Sequence, residues 1–327
     1  MDEPFGETHV LARGNAAADA LAPQRDARAI PLGGPDGLDR HVRRDLRRQE
    51  SAIALRYAAH ATATWPYTAV ALACFAAWLS FFPLAVAGIL PLWLGCALGS
   101  VFVAGGYVVA HEAMHSNLGQ EGTPQRFWNE LTGNLSTIPL MLPFSMVKLM
   151  HLLHHRHPND PYRDPDAIHA APNVAMAVVQ SWLNRQPGKG GTAARWRRHC
   201  AELGTAEAKR ALAELMIAQV LSLAFLFAMA WSGYAIEAAL LWWLPRHIGL
   251  SYIHAVLSWA PHHPHGGTGR YDSTAIIRHK LGLWGSMGID YHLIHHLYPF
   301  IPVHATGAAY RELKPLLAQR GVDVSAR

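Results

Sequence analysis

Two adjoining stretches of this chain, 65–86 and 87–110, contain no charged side chain. At a rise of about 1.5 Å per residue, each is long enough to cross the roughly 30 Å hydrocarbon core of a bilayer as a helix. Inside that core every backbone N–H and C=O must be bonded within the protein, so only helices and closed barrels can span it. Pro83 and Pro91 supply the turn between the two runs. A second apolar pair covers 211–231 and 234–259. Glu214 interrupts its first member near the start, and Glu237, Arg246 and His247 interrupt its second. The expectation is an all-α integral membrane protein with four transmembrane helices in two hairpins. Trp65, Trp231, Trp242, Trp243 and Trp259 are candidate interfacial anchors.

The polar remainder sets the domain limits. Charged residues make up only 16% of the 327, against about 25% in soluble domains. Mean hydropathy is nevertheless just +0.07, so long polar segments must accompany the apolar ones. The first 35 residues mix acids, arginines, glycine and proline without an apolar signal core, and residues 1–38 are expected to be disordered. Residues 39–57 (DRHVRRDLRRQESAIALRY) read as an amphipathic helix, either solvated or laid against lipid headgroups. The membrane domain is expected over 39–315, followed by a tail, 316–327. Cys74, Cys96 and Cys200 form no CxxC pair, which argues against a disulfide framework or a cysteine zinc site. A net charge of +5 is modest, and no nucleic-acid partner is expected.

Orientation follows from where the cations lie. Nine arginines precede residue 60, eleven Lys or Arg fall between His111 and Arg210, and seven run from Arg270 to the end. Arg246 is the remaining one of 28, and the two short turns between spans carry none. The positive-inside rule then puts both termini and the long middle segment in the cytoplasm.

Three histidine clusters fall on that same side: His111-Glu112-Ala113-Met114-His115, His151-Leu152-Leu153-His154-His155 and His292-Leu293-Ile294-His295-His296. Their spacings are HxxxH, HxxHH and HxxHH. Residues at i, i+3 and i+4 share a helical face, so each cluster can aim two or three imidazoles at one point. Eight imidazoles exceed the three or four protein ligands of a usual zinc site, which suggests two metals. An all-imidazole site suits iron and oxygen chemistry, though imidazole also serves zinc and copper. Glu112, Asp160, Asp164, Asp166 and Asp290 are candidates for orienting the rings. His157, His169, His254, His263, His265, His279 and His304 are expected as neighbours or surface residues, and His254 and His262, eight apart, share a helical face. His111 to His115 also matches HExxH, the zinc protease pattern with Glu as general base. A protease, however, has no use for two further HxxHH clusters. A histidine-rich metal carrier would place ligands inside its spans, whereas these lie mostly outside them.

The three boxes, the paired hairpins and their spacing resemble the membrane fatty acid desaturase superfamily of di-iron enzymes, over about residues 60–315. Within it, His151 to Asp166 (HLLHHRHPNDPYRDPD) and Tyr291 to Pro302 (YHLIHHLYPFIP) are similar to desaturase-type β-carotene ring hydroxylases. Trp259-Ala260-Pro261-His262-His263-Pro264 is similar to the LPHxP element of those hydroxylases and of related ketolases. That resemblance makes His262 an extra metal ligand, with His254 in reserve. Ala260 departs from a position that is often bulky, and Glu112 from one that is often Asp. The resemblance implies two iron ions in a cytoplasmic histidine-rich cap, held by His111, His115, His151, His154, His155, His262, His292, His295 and His296. It further implies dioxygen as co-substrate and a lipid-like or carotenoid substrate attacked at an unactivated C–H bond. Carotenoid ring hydroxylation is the leading expectation and fatty acyl desaturation the alternative. No haem, flavin or dinucleotide fingerprint is present, and the GKGG stretch at 188–191 reads as a loop. Electrons are therefore expected from a separate donor such as a ferredoxin. Arg195-Trp196-Arg197-Arg198 could face such an acidic donor or anionic headgroups.

Overall fold

The computed structural model describes residues 38–59, 64–186, 188, 190–264 and 266–326. The segment expected to be disordered, 1–38, lies outside them except for its last residue, as does His265. Among the described residues the chain is helical throughout, and its one β contact is an isolated bridge between Ile276 and Ala326.

Helix α1 (Arg40–Arg56) has the amphipathic pattern expected of it. It buries Leu46, Glu50 and Ala54, at i, i+4 and i+8, and turns Arg40, Arg44, Arg47 and Arg48 outward. Helices α2 (Trp65–Val86) and α3 (Leu92–Met114) form the first hairpin. Pro66 and Pro91 sit where a missing N–H costs nothing, and Gly88, at φ +70°, makes the tight turn. Helix α8 (Ala206–Trp231) starts on a Thr205 side-chain cap and buries only Ala208, Ala211 and Leu215, all in its first half. Its remainder presents Leu221, Leu223, Phe227 and Trp231 outward, the surface a helix offers to lipid rather than water. These three, α2, α3 and α8, have the length and composition to cross a membrane.

The fourth expected span is less regular. Residues 235–262 run as unbroken helix, here α9, but two stretches within it, Ala239–Trp243 and Ile253–Trp259, are π-helical. Widened turns of this kind re-aim the residues that follow them. Helix α9 packs against α3 through small residues. A methyl group at Gly95 would overlap Leu241, one at Gly99 would press on Pro245 at 3.2 Å, and one at Gly249 would overlap Val103. Close backbone approach of this kind is how helices associate in lipid, where hydrophobicity alone provides no drive.

The long middle segment between the hairpins is mostly helical. Helices α4 (Arg126–Thr137) and α5 (Phe144–Arg156) meet at a 97° bend, with Met141 left-handed at φ +55°. Helices α6 (Val174–Asn184) and α7 (Thr192–Leu203) follow. The basic stretch Arg195 to Arg198 is on α7. The short α10 (His292–Leu297) and long α11 (Val303–Gln319) complete the chain. The boundary expected at 315 falls inside α11. Leu316 and Leu317 are buried beyond it, and Val322 and Val324 pack on the core formed by α1, α10 and α11.

Of the tryptophans, Trp65 and Trp231 are exposed at helix ends, 72% and 83%. Trp242 and Trp259 are bonded within the protein. Trp242 is buried and donates to the Pro139 carbonyl at 3.1 Å, and Trp259 donates to that of Ala171 at 2.8 Å.

Candidate metal centre

Four helix ends converge on one point. The last turn of α3 carries His111, and His115 caps that helix. The last turns of α5 carry His151, His154 and His155. His262 is the final residue of α9, just beyond its second π turn. The α10 helix is little more than its own histidines, His292, His295 and His296. It is entered through two left-handed residues, Met287 and Gly288, which turn the chain back toward the cap.

The nine histidines form two groups. His111, His115, His151, His155 and His295 make one, and His154, His262, His292 and His296 the other, with one ring nitrogen of each within 4.8 Å of all others in its group. In the first group Nε2 of His115 lies 2.8 Å from that of His151, and Nε2 of His295 lies 2.9 Å from that of His155. In the second, Nε2 of His262 is 3.1 Å from that of His154 and 3.2 Å from that of His292. His155 and His296 stack across the groups at 4.0 Å. The sequence left His254 and His262 as alternatives, and His262 is the one brought into a group. His254 instead stacks on His169 at 3.8 Å and pairs with the Ser181 hydroxyl.

This donor set fits a pair of metal ions. His111 is buried with both ring nitrogens unpartnered, a costly state for a polar group unless something else engages it. Burial, reinforced by neighbouring imidazoles, holds His292, His295 and His296 well below the usual histidine range. They are therefore neutral, which is the ligating form.

One of the five candidate carboxylates orients a ring. His154 Nδ1 donates to Asp164 at 2.9 Å, leaving Nε2 to face its group. Burial alone would depress the His154 imidazole, but the Asp164 carboxylate overrides it and raises the value to about 9. Asp164 is itself held by backbone N–H groups of Asn159 and Asp166, each at 2.8 Å. His262 is oriented by a backbone carbonyl, with its Nδ1 3.1 Å from the oxygen of Ser273. Asn159 donates to that same oxygen at 2.8 Å, so one asparagine braces the partners of both rings.

The other candidates do different work. Glu112 accepts from Asn117 at 3.0 Å and from the Val303 N–H at 3.1 Å, and so ties the end of α3 to the start of α11. Its nearest approach to His111 is 3.9 Å. Asp160 closes an exposed turn by accepting from Tyr162 and Arg163. Asp290 accepts from Ser286. Asp166 accepts from Ser258 at 3.2 Å and lines a cleft with Tyr107, Leu257, Ile289 and histidines from both groups. Sequence reasoning missed Tyr107, Leu257, Ser258 and Ile289. Only Tyr107, one turn before His111, carried a positional signal.

A family model described as fatty acid desaturase matches residues 87–327, from the turn before α3 to the end of the chain. That range takes in all nine histidines. No curated protein matches the chain.

Proposed function

This chain belongs to the fatty acid desaturase family, whose members are oxidoreductases, and from that premise we propose an oxygen-dependent di-iron enzyme that attacks an unactivated C–H bond of a lipid-like substrate. The observation that carries the reading is the convergence of nine imidazoles in two adjoining groups. His111, His115, His151, His155 and His295 would hold one iron, and His154, His262, His292 and His296 the other. Two irons so held supply reduction of dioxygen and the oxidising power to remove hydrogen from carbon.

The protein's own residues provide position and shielding. Asp164 and the Ser273 carbonyl hold His154 and His262 in the tautomer that presents Nε2 inward. Tyr107, Leu257 and Ile289 form the apolar part of the cleft wall beside His111, His151, His154 and His292, the side from which an apolar substrate would approach the centre. The three apolar helices make the protein an integral membrane protein, which suits a substrate partitioned into lipid. We read α9 as a fourth span and place both termini in the cytoplasm on the asymmetry of the 28 basic residues.

Hydroxylation consumes one dioxygen, two electrons and two protons for each alcohol and water formed, so a reductant must dock. A small acidic carrier such as a ferredoxin fits α7, where Arg197 and Arg198 are exposed. On the same helix Arg195 donates at 2.7 Å to the carbonyl of Asp164, the residue that orients His154.

Carotenoid ring hydroxylation leads because 151–166, 259–264 and 291–302 are similar to the ring hydroxylases. Fatty acyl desaturation is the second reading, favoured by the description of the matching family. Expression in cells that make β-carotene, followed by pigment and fatty acid profiling, separates them. Hydroxylated carotenoid selects the first, a new acyl double bond the second, and neither product under aerobic conditions counts against both.

A further inference from the structure

We propose that Arg185 and Arg246 form a binding site for a phosphate oxyanion, supplied by the headgroup of a membrane phospholipid. Arg246 is the one basic residue of 28 that falls within an expected span. Its Nε donates to the Leu140 carbonyl at 2.7 Å, and its Nη1 lies 3.4 Å from Nε2 of His247. Arg185, at the end of α6, reaches the same imidazole from the other side, with Nε 3.3 Å from Nδ1. The rest of its fork donates to Ser181 at 2.5 Å, to Ser251 at 2.8 Å and to the His247 carbonyl at 3.2 Å.

This arrangement is electrostatically incomplete. A neutral imidazole has one acceptor nitrogen and a protonated one has none, so His247 cannot satisfy both guanidiniums. Among the described residues, neither arginine has a carboxylate partner, and Nη2 of Arg246 meets no protein acceptor. Two cations gathered on one partly buried ring call for an anion. Guanidinium forks match phosphate oxygens in geometry as well as charge.

The surroundings favour a lipid as the source. Trp182 and Trp243, each about 40% exposed, flank the pair with their rings 6.1 Å apart, in the amphipathic role that tryptophan takes at a membrane surface. On α6, Val178, Val179 and Leu183 are exposed apolar residues on the face beside Trp182, a surface for acyl chains. The chain becomes polar directly after Arg185, as Gln186-Pro187-Gly188-Lys189-Gly190-Gly191. The site therefore joins a cationic fork to an apolar face at the edge of the polar region.

The test uses full-length protein, purified in detergent and stripped of lipid, with thermal midpoint and binding titration as readouts. The ligands are phosphatidylglycerol, diacylglycerol with the same chains, and inorganic phosphate. Phosphatidylglycerol is expected to raise the midpoint, with diacylglycerol ineffective and inorganic phosphate weak. Arg185→Gln and Arg246→Gln are each expected to weaken phosphatidylglycerol binding about tenfold, a loss of the size of one charge-assisted hydrogen bond. Arg246 also supports the α4–α5 bend, so if its variant does not fold, Arg185→Gln and the wild-type titrations decide. Equal stabilisation by diacylglycerol, or wild-type affinity in Arg185→Gln, overturns the site. A full effect from inorganic phosphate alone overturns the lipid source. Binding is read without turnover, so failure here is distinct from failure of the proposed reaction.

Discussion

At the level of single residues, spacing alone points to eight of the nine histidines that meet, and the ninth, His262, comes from the family resemblance. HxxxH and HxxHH place rings on one face of a helix whatever the helix packs against, so a linear pattern carries the information. Carboxylates lack such a pattern. Asp164 and Asp166 are two apart in one turn, yet Asp164 meets His154 and Asp166 meets Ser258. Only the folded path of 159–169 decides which. Replacing His155 or His296 by Ala is expected to abolish oxygenase activity and lower bound iron, as measured by product formation and elemental analysis. Full iron and full activity in both variants would sink the assignment. Glu112→Gln is the contrast. It should keep its iron and part of its activity, because Glu112 joins α3 to α11 and does not serve as a base. Asp164→Asn is expected to cost about 10–100-fold in iron affinity or activity, the usual loss when a ligand's orienting partner changes. Asp160→Asn, altered in an exposed turn, should stay within a few-fold of wild type in the same iron titration.

At the level of elements, the clean apolar runs were legible and the bent ones were not. Helix α2 fills the charge-free stretch 65–86, and α3 takes up 92–110 of the next and continues through Glu112 to Met114. The α4–α5 pair hides its apolar character behind Arg126, Glu130 and Lys148, which gather into one charge cluster. Its bend rests on a left-handed Met141, with no glycine to announce it. The irregularity of α9 follows from tertiary packing, which single-residue propensity does not encode. Its seam with α3 yields a prediction. Gly99→Leu forces a branched side chain against Pro245, and overpacking of this kind typically costs about 1–3 kcal/mol. A lowered thermal midpoint with parallel loss of iron is expected, because α3 and α9 deliver His111 and His262. An unchanged midpoint would mean that the two helices are not in close contact.

For the whole molecule, the ends of the chain are clasped together. Glu50 on α1 is fully buried and accepts from Tyr271 and Tyr298 at 2.9 Å each, and from the buried Arg320 that follows α11. Sequence gave no hint of this, since Glu50 and Arg320 are 270 residues apart and each looks like an ordinary surface charge. Glu50→Ala removes the carboxylate that neutralises the buried Arg320 and is expected to cost about 3–5 kcal/mol of stability, read from denaturant unfolding in detergent. The clasp also bears on topology, because it requires α1 and the end of the chain to lie on one side of the membrane. That constraint comes from packing, and the distribution of basic residues leads independently to the same arrangement. Of the 28, only Arg246 lies within an expected span, and the turns at 87–91 and 232–234 carry none. Reporter fusions before α1, near Gly190 and after Arg327 are therefore all expected to report cytoplasm. The Gly190 fusion is the most discriminating, because it lies between the box that ends at His155 and the start of α8. An external signal there would put α5 and α10 on opposite sides of the bilayer. His155 and His295 would then never meet, and the two-hairpin membrane topology would have to be abandoned together with the metal centre.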